Sequence, residues 1–361
     1  MAALLKAVYT NDYLRHLAAT IQRIHPRFDV SGFVHTVFDA AWPQRELKAR
    51  MRHITHALQT TLNLAYDDAL DVLALAAVDF SGFEAMFFPE FVSAYGLAHW
   101  DHSITALAHF TQYSSSEFAV RPFIVQNPEK MMAQMLVWAE HPNHHIRRLA
   151  SEGCRPRLPW AMALSQFKQD PNLILPIIEC LKQDEHLYVR RSVANNLNDI
   201  AKDHPEVVLS VATRWLGDNA HTDWIVKHGC RTLLKQGHQV ALSLLGWESP
   251  EHVCIAPWTL APEVAIGETL HIDFQLHANQ ALGHLRIEYA IDFVRSHGKS
   301  TRKVFKIAQG HYSACEKTLH KKHSLRVITT RKYYPGSHRL TLIVNGVTLD
   351  HKFFQLTSGS R

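Results

Sequence analysis

The sequence lacks any hydrophobic run of the roughly 18 to 20 residues that a membrane-spanning helix needs. No secretory leader is expected either, because residues 1–26 mix apolar with polar side chains and lack a basic start, an apolar middle and a small-residue cleavage site. Hydrophobic residues make up 47% and charged residues 20% of the 361 positions, a balance that excludes an intrinsically disordered chain. We therefore expect a globular protein of the cytoplasm with no membrane partner.

Cysteine is scarce, with five residues and no CxxC pair, so neither a disulfide framework nor a zinc ribbon is expected. Histidine is abundant, with 26 residues, and it clusters at His141, His144 and His145 and again at His320 and His323. No carboxylate stands beside the first cluster at the spacing of a hydrolytic metal site. We interpret both clusters as solvated, partly cationic surface, and we predict no metal and no other cofactor.

The pattern of apolar residues divides the chain in two. Up to about residue 248 the apolar residues recur with helical periodicity, and prolines break the pattern at positions 26, 43, 89, 128, 142, 171 and 205. From about residue 251, segments such as 269–276, 285–289, 302–307 and 338–344 alternate apolar with polar residues, and glycines separate them at 267, 283, 298, 310, 336 and 346. About seven short strands of this kind indicate an antiparallel β-sandwich of immunoglobulin type. We predict a mainly α protein, with a helical domain over 1–250 and a small β domain over 251–361.

Charge separates along the same line. Residues 251–361 hold 15 Lys and Arg against 8 Asp and Glu, a net charge of +7, whereas the helical part has 23 against 25, a net charge of −2. A basic appendage on a mildly acidic body suits a module that grips a phosphate backbone, since each phosphate contact releases counterions. A solubilising surface would give the same composition, and the sequence does not decide between the two.

The helical part contains an internal repeat. Residues 188–193 (YVRRSV) align with residues 145–150 (HIRRLA) at an offset of 43, and residues 225–230 (IVKHGC) follow after a further 37. Each block lies in a predicted helix after a loop that contains Asp or Asn, and a further helix follows, such as residues 205–216. Paired helices repeating every 40 or so residues are typical of HEAT-like solenoids, which stack into an array with a concave binding face.

Helical geometry predicts what the repeat presents. At about 100° per residue, one face of the second repeat helix is apolar, and the other face gathers Arg191, Asn195, Asn198 and Asp199. A ladder of cations is expected along one side of the stack, formed by Arg147, Arg148, Arg155, Arg157, Arg190, Arg191, Lys202, Lys227 and Arg231. A single pair of this kind usually belongs to a solvated face held by i,i+4 ion pairs. Repetition at a matching phase favours a groove for a polyanion.

Three carboxylates and one tryptophan in this region are candidates for chemistry: Glu117, Glu152, Asp199 and Trp160. Structural roles are open for each. Glu117 with Ser114 has the spacing of a helix capping box, Glu152 can pair with Arg148 in its own helix, and Asp199 can anchor an arginine of a neighbouring repeat. Trp160 stands among arginines and prolines, which favours a surface position over the usual burial.

Three long segments resemble the AlkC branch of the AlkC/AlkD family of bacterial DNA glycosylases: residues 114–122 (SSSEFAVRP), 147–160 (RRLASEGCRPRLPW) and 188–205 (YVRRSVANNLNDIAKDHP). The basic β domain resembles the immunoglobulin-like extension of one AlkC subgroup. The resemblance implies hydrolysis of the N-glycosidic bond of N-alkylated bases, chiefly 3-methyladenine and 3-methylcytosine, in double-stranded DNA. It also implies that DNA is bent to expose the lesion, without deep base flipping.

The resemblance assigns roles to individual residues. It makes Glu152 and Asp199 the central acids, places Glu117 and Trp160 around the lesion, and directs Arg148 toward the DNA backbone. No lysine stands out as a Schiff-base nucleophile, so a monofunctional glycosylase is expected. A solenoid bound along a duplex works as a monomer, so a monomer is expected. Two other functions remain open on the residues alone: a non-catalytic reader of damaged DNA, and a protein-binding scaffold.

Overall fold

The computed structural model describes residues 5–296, 299–328 and 331–359, and it divides them into two compact units. The first unit holds the described residues up to His204 together with Trp215–Gly229. The second holds Pro205–Arg214 and the described residues from Cys230 onward. The predicted boundary at residue 250 lies where helices give way to strands, whereas the compact units divide earlier, within the helical part.

Helices account for most of the first unit. Short 3-10 helices occur at Leu5–Val8, Trp42–Gln44 and Phe83–Met86. The α-helices of the described chain are α1 (Asn11–Ile24), α2 (Val30–Val37), α3 (Leu47–Leu62), α4 (Tyr66–Ala77), α5 (Phe87–Tyr95), α6 (Trp100–Phe110), α7 (Arg121–Gln126), α8 (Pro128–Ala139), α9 (His144–Gly153), α10 (Ser165–Gln169), α11 (Leu175–Cys180), α12 (Leu187–Ile200), α13 (Pro205–Trp215), α14 (Ala220–Gly229), α15 (Arg231–Gln236) and α16 (Gln239–Leu244).

Local signals in the sequence set several of the helix starts. The side chains of Thr10, Asp29 and Asn127 accept hydrogen bonds from backbone N–H groups in the first turns of α1, α2 and α8. Pro128 and Pro205 are the first residues of their helices, where the missing N–H costs nothing. Pro89, at which the pattern predicts a break, lies in the first turn of α5 instead, a position that tolerates proline for the same reason.

The repeat helices pack side by side. Helix α12 contacts α9 on one side and α14 on the other. The approach to α14 is close, because a Cβ on Gly229 would lie 3.0 Å from the Cβ of Leu197. The predicted apolar stripe of α12 is buried, and so are Asn198 and Asp199 on the opposite, polar face. Contacts with both α9 and α14 explain why residues of both faces are buried.

The second unit contains the strands. In the described residues they are β1 (Cys254–Ile255), β2 (Thr259–Leu260), β3 (Glu263–Ala265), β4 (Thr269–His277), β5 (Gly283–Val294), β6 (Ser300–Tyr312), β7 (Glu316–Ser324), β8 (Gly336–Val344) and β9 (Val347–Thr357). The four segments named from alternation fall in β4, β5, β6 and β8, which confirms them. The sequence predicts about seven strands and the described residues form nine; β1, β2 and β3 have only two or three residues, too few to show a period.

Two sheets enclose a common apolar core. In the first sheet β4 pairs antiparallel with β7, β1 and β2. The second has the order β3-β9-β8-β5-β6 and is antiparallel except for the parallel β3–β9 pair. Side chains such as Ile272 and Tyr289, one from each sheet, belong to the same buried cluster. Gly310 lies within β6 and not in a turn, and Gly298 lies outside the described residues.

The fold is therefore a HEAT-like helical-repeat region followed by an immunoglobulin-like β-sandwich, as the sequence predicts. Among the described residues, no helix combines the length and the hydrophobicity needed to cross a bilayer.

Candidate functional site

Helix α9 carries two of the predicted site residues. It begins at His144, and Asn143 caps it, because Asn143 Oδ1 accepts a hydrogen bond from the backbone N of His145 at 2.9 Å. Four residues apart on this helix, Arg148 and Glu152 share a face, and Arg148 Nη2 lies 3.4 Å from Glu152 Oε1. The intrahelical partner predicted for Glu152 is thus present.

Arg155 joins α9 to α12. Its Nη1 donates to Glu152 Oε1 at 2.6 Å, and its Nε donates to Asp199 Oδ2 at 2.9 Å. Lys202 Nζ donates to the other oxygen of Asp199 at 3.0 Å. Glu152, Arg155 and Asp199 are 5%, 6% and 1% exposed. Burial of such charges costs several kcal/mol each unless they are paired, which explains the close contacts. Asp199 therefore does anchor an arginine from the preceding repeat.

Glu117 completes the row of charges from the turn before α7. Its Oε2 accepts hydrogen bonds from Arg148 Nη1 and, at 2.8 Å, from the hydroxyl of Ser115. The capping-box interpretation is wrong, because α7 begins only at Arg121 without a side-chain cap. Within the described residues the hydroxyl of Ser114, the other half of the expected box, has no hydrogen-bond partner.

Glu117, Arg148, Glu152, Arg155 and Asp199 form one continuous series of contacts, which we call the ion-pair network. Burial disfavours the charged form of both arginines, but the attraction of Glu152 and Glu117 raises the pKa of Arg148. Against the same cost of burial, Glu152 and Asp199 raise the pKa of Arg155. Both guanidinium groups are therefore fixed cations that hold the carboxylates in place.

A cavity of about 510 Å³ lies at one end of the ion-pair network. Glu117 and Arg148 line it, together with the aromatic rings of Trp160 and Tyr188. Much of the remaining wall is apolar and includes Leu5, Leu47, Met51, Phe83, Met86 and Phe118. Its volume falls within the roughly 300 to 1,000 Å³ of small-molecule sites. Glu152 and Asp199 do not line the cavity, so the structure separates one acid that faces the open space from two that lie behind it.

Trp160 stands at the edge of the cavity in an unusual backbone conformation. Its side chain is 65% exposed, as the sequence predicts, and its φ is +64°, in the left-handed region that costs a residue with a side chain roughly 1–2 kcal/mol. Lys48 Nζ donates to the carbonyl oxygen of Trp160 at 2.9 Å and also lies 4.6 Å from the centre of the Phe118 ring. A helix near the start of the chain thus fixes a residue of the site.

The loop that presents Trp160 is held from within by Arg121. This guanidinium is fully buried, and it donates to the carbonyl oxygens of Gly153, Arg155 and Met162 at 2.6–3.0 Å. Burial lowers the pKa of Arg121 to about 10. Sequence reasoning assigned no role to Arg121 or Lys48, because their partners are backbone carbonyls, which leave no mark in a pattern of side chains.

The first arginine of the repeated Arg-Arg pair has a structural function. Arg147 Nη1 donates to the carbonyl oxygens of His141 and Pro142, six and five residues earlier. Arg190 Nη1 makes the same two contacts to residues six and five positions earlier in its own repeat. Arg147 also pairs with Asp184 at 2.6 Å. The first arginine of each pair therefore binds two carbonyl oxygens of the loop before its own helix, a repeated arrangement that we call the loop clamp.

The other predicted DNA-binding cations fall into three groups. Arg148, Arg155 and Lys202 engage the acids of the site. Arg157 pairs with Asp203 at 2.6 Å, and Arg231 is half-buried. Arg191 and Lys227 are exposed. DNA binding by the nine cations stays a prediction, and the contacts show which of them would have to exchange a protein partner for a phosphate.

The histidine clusters differ from the expectation of solvated cations. His144 stacks on His186 with ring centres 4.1 Å apart, and burial lowers the pKa of both His144 and His145. His323 is buried against Tyr289, and burial lowers its pKa to about 4. His320 alone of the second cluster is exposed. Among the described residues there is no grouping of three or more His, Cys, Asp or Glu side chains suited to a metal ion.

Comparison with known proteins gives two family matches. The model of the DNA alkylation repair enzyme family matches residues 111–233, which contain the whole ion-pair network. A second model, described as the C-terminal Ig-like domain of the uncharacterised protein YhaZ, matches residues 255–358. The helical and the β parts of the chain therefore both have relatives of their own.

Two full-length relatives share the arrangement of both parts. The uncharacterized protein YhaZ of Bacillus subtilis (strain 168) is 47% identical over 354 residues, covering 98% of this chain and 99% of that protein. The alkylpurine DNA glycosylase AlkC of Pseudomonas fluorescens, solved bound to DNA containing an abasic site analog, is 38% identical. That structure matches with a TM-score of 0.94 and covers 99% of this chain and 100% of its own.

Proposed function

Because the chain belongs to the AlkC branch of the DNA alkylation repair enzymes, in the subgroup with a C-terminal immunoglobulin-like domain, we propose that it is a monofunctional DNA glycosylase. It hydrolyses the N-glycosidic bond of cationic N-alkylated bases, such as 3-methyladenine and 3-methylcytosine, in duplex DNA. The observation that carries the proposal is the ion-pair network beside an aromatic-lined cavity, within a chain that matches a DNA-bound glycosylase along its whole length.

The chemistry of the substrate fits acids that are held in place. An N3-alkylated base carries a positive charge and leaves readily, so the main barrier is the oxocarbenium-like sugar and the delivery of water. A fixed carboxylate stabilises that positive charge and orients or deprotonates the water. Because arginines hold Glu152 and Asp199 from the side, these acids need no reorganisation when the sugar becomes cationic.

The positions of the three acids suggest that they have different roles in the reaction. Glu117 lines the cavity with Arg148, so we assign it contact with the alkylated base or its sugar. Glu152 and Asp199 lie behind it and, as the resemblance implies, act on the oxocarbenium and the water once DNA is bound. Glu117 therefore takes a more direct part than a helix cap would.

The aromatic wall suits a cationic ligand. The exposed indole of Trp160 favours a positively charged base by a cation–π attraction of about 0.5–2 kcal/mol. A neutral, undamaged base gains no such attraction, which contributes to discrimination. Hydrolysis of this kind requires no metal and no organic cofactor.

The proposal includes no lyase activity, and the contact of one lysine supports this. Lys48 is the lysine that lines the cavity, and its amine donates to the carbonyl of Trp160. This amine would have to leave the carbonyl oxygen before it could attack a sugar to form a Schiff base. In this proposal the product of simple hydrolysis is an intact abasic site.

The basic β domain, with its net charge of +7, contacts the phosphate backbone in this proposal. One polypeptide supplies both the acids and the basic domain, so the protein acts as a monomer on double-stranded DNA in the cytoplasm. The nine predicted cations hold the DNA in register, with the exposed Arg191 and Lys227 reaching phosphates directly.

The proposal is tested by incubating purified protein with duplexes that carry a single methylated base and measuring free base by chromatography. We expect release of 3-methyladenine and 3-methylcytosine, intact abasic strands, and no covalent adduct after borohydride reduction. A borohydride-trapped adduct would contradict monofunctional hydrolysis. Binding without release would favour the alternative, a non-catalytic reader of damaged DNA, to which the full pairing of the acids also lends support.

A further inference from the structure

A small pocket in the β domain is surrounded by positive charge. It has a volume of about 50 Å³ and lies beside the end of β5, the beginning of β6 and the segment 331–334. Arg295, Lys303, Arg331 and Lys332 line it, with Phe293 and two tyrosines as the main apolar wall. Among the described residues that line it, no side chain is acidic.

The nearest acids of the same strand are already neutralised. Asp292 accepts from Arg339 Nε at 2.7 Å and lies 3.4 Å from Arg302 Nη1. Glu288 pairs with Arg286 at 2.6 Å and is almost fully buried. The four lining cations therefore have no described ion pair with either carboxylate.

Aromatic rings and hydroxyl groups hold the two arginines of the pocket in place. The guanidinium of Arg331 lies 5.8–5.9 Å from the centres of the Phe293, Phe305 and Tyr333 rings, and it donates to the hydroxyl of Tyr333 at 3.1 Å. Arg295 Nε donates to the hydroxyl of Thr301 at 3.1 Å. These contacts fix positions without cancelling charge.

Like charges so close together repel one another. Burial, and after it the charges of Arg331 and Arg295, lower the pKa of Lys303. An anion placed among these side chains would relieve the repulsion. The volume suits one oxyanion group, because it is far below the roughly 300 to 1,000 Å³ of pockets that enclose a drug-sized ligand.

We propose that the pocket lined by Arg295, Lys303, Arg331 and Lys332 binds a single phosphate group of the DNA backbone. The planar guanidinium of arginine matches the geometry of phosphate oxygens, and lysine adds a mobile point charge. The assignment rests on the proposed function, because DNA is the source of the phosphate. It turns the diffuse basic charge of the β domain into one defined contact.

The first test uses an undamaged duplex, so that base excision plays no part in the result. A variant with Lys303→Gln and Lys332→Gln retains the packing of Arg331. A control with Lys317→Gln and Lys352→Gln loses the same charge from the same domain, at positions that stack on Tyr312 and Trp258 and do not line the pocket.

We expect the pocket variant to lower the slope of log affinity against log salt by about 0.9, the value for one phosphate contact. The control should change the slope clearly less. Equal changes for the two variants would overturn the assignment, because they would show that only total charge matters.

The second test locates the phosphate and excludes other sources. In a series of duplexes, each carries one methylphosphonate linkage at a different position. The affinity of the wild type should fall when the linkage occupies one particular position. The affinity of the pocket variant should not change at that position. The same profile for both proteins would contradict the proposal. Inorganic phosphate provides a further measurement. Suppose that millimolar phosphate raises the melting temperature of the wild type, and that the pocket variant has the wild-type slope of log DNA affinity against log salt. The pocket then binds free phosphate, and the assignment to the DNA backbone is wrong.

Discussion

The ammonium group of Lys48 donates a 2.9 Å hydrogen bond to the carbonyl oxygen of Trp160, a residue 112 positions further along the chain. The contact joins α3 to the loop after α9, and both residues line the same cavity. Trp160 is held there with a positive φ, which an unrestrained residue with a side chain would leave. Lys48 thus positions the most exposed aromatic ring of the site.

Replacing Lys48 tests this positioning. Lys48→Met should lower the single-turnover rate of base release about tenfold, since it removes a charged hydrogen bond worth roughly 1.5–3 kcal/mol. Lys48→Arg should restore most of the rate. Combining Lys48→Met with Trp160→Ala should cost little more than Trp160→Ala alone, as measured by a double-mutant cycle.

The matched control is Lys130→Met, because Lys130 also lies over an aromatic ring, that of Trp100, but does not line the cavity. Its rate should match that of the wild type. Additive losses in the double-mutant cycle would show that Lys48 does not act through Trp160.

The acids that face the cavity and those behind it should respond differently to neutralisation. Glu117→Gln should slow base release at least tenfold with little loss of stability, because Arg148 keeps Glu152 as a partner. Glu152→Gln should also slow release. It should in addition lower the free energy of unfolding by about 1–3 kcal/mol, because two buried arginines lose their charged partner. Thermal melting and single-turnover assays separate the two effects. Equal losses of stability for Glu117→Gln and Glu152→Gln would contradict the proposed difference between the acid at the cavity and the acids behind it.

The two types of cation in the repeat should separate stability from DNA binding. Arg147→Gln should destabilise the protein by about 3–5 kcal/mol, because it leaves the buried carboxylate of Asp184 unpaired. Arg191→Gln, at an exposed position one repeat later, should change stability by less than about 0.5 kcal/mol and weaken DNA binding at low salt. Chemical denaturation and DNA titration of both variants check the contrast. A stable Arg147 variant would show that the clamp is dispensable.

Acid should destabilise the β domain through His323. Its pKa in the folded protein is about 4, below the ordinary 6.5, so the unfolded state binds the proton first. The contribution of neutral His323 to the free energy of unfolding is therefore complete above pH 6.5. It falls by about 3 kcal/mol as the pH drops to 4. His323→Asn should lose less stability between pH 7 and 4.5 than the wild type in thermal melts. His320→Asn, at an exposed position of the same strand, serves as the control.

Much of the fold follows from local patterns. The repeat at an offset of 43 predicts the α9 and α12 pair, and alternation predicts β4, β5, β6 and β8. The division into compact units does not follow, because it depends on tertiary contacts between residues far apart in the sequence. The parallel pairing of β3 with β9 is equally hidden, since three residues carry no period.

The site was predictable where side chains pair with side chains. The contacts of Glu152 with Arg148 and of Asp199 with an arginine follow from spacing and repetition. Contacts to backbone carbonyls, such as those of Arg121 and Lys48, have no sequence signature. Nor did spacing reveal that Glu117 faces the cavity, because its position depends on the fold of the turn before α7.

The most direct test of the central claim is a paired measurement on Asp199→Asn and the wild type, using one duplex that contains 3-methyladenine. Base release under single-turnover conditions and DNA affinity are measured on the same preparations. Asp203→Asn, which breaks the neighbouring pair with Arg157 outside the ion-pair network, serves as the control. We predict rapid release by the wild type and the control, and at least about a 100-fold loss for Asp199→Asn with its DNA affinity retained. No release by the wild type, or an unchanged rate for Asp199→Asn, would contradict the account.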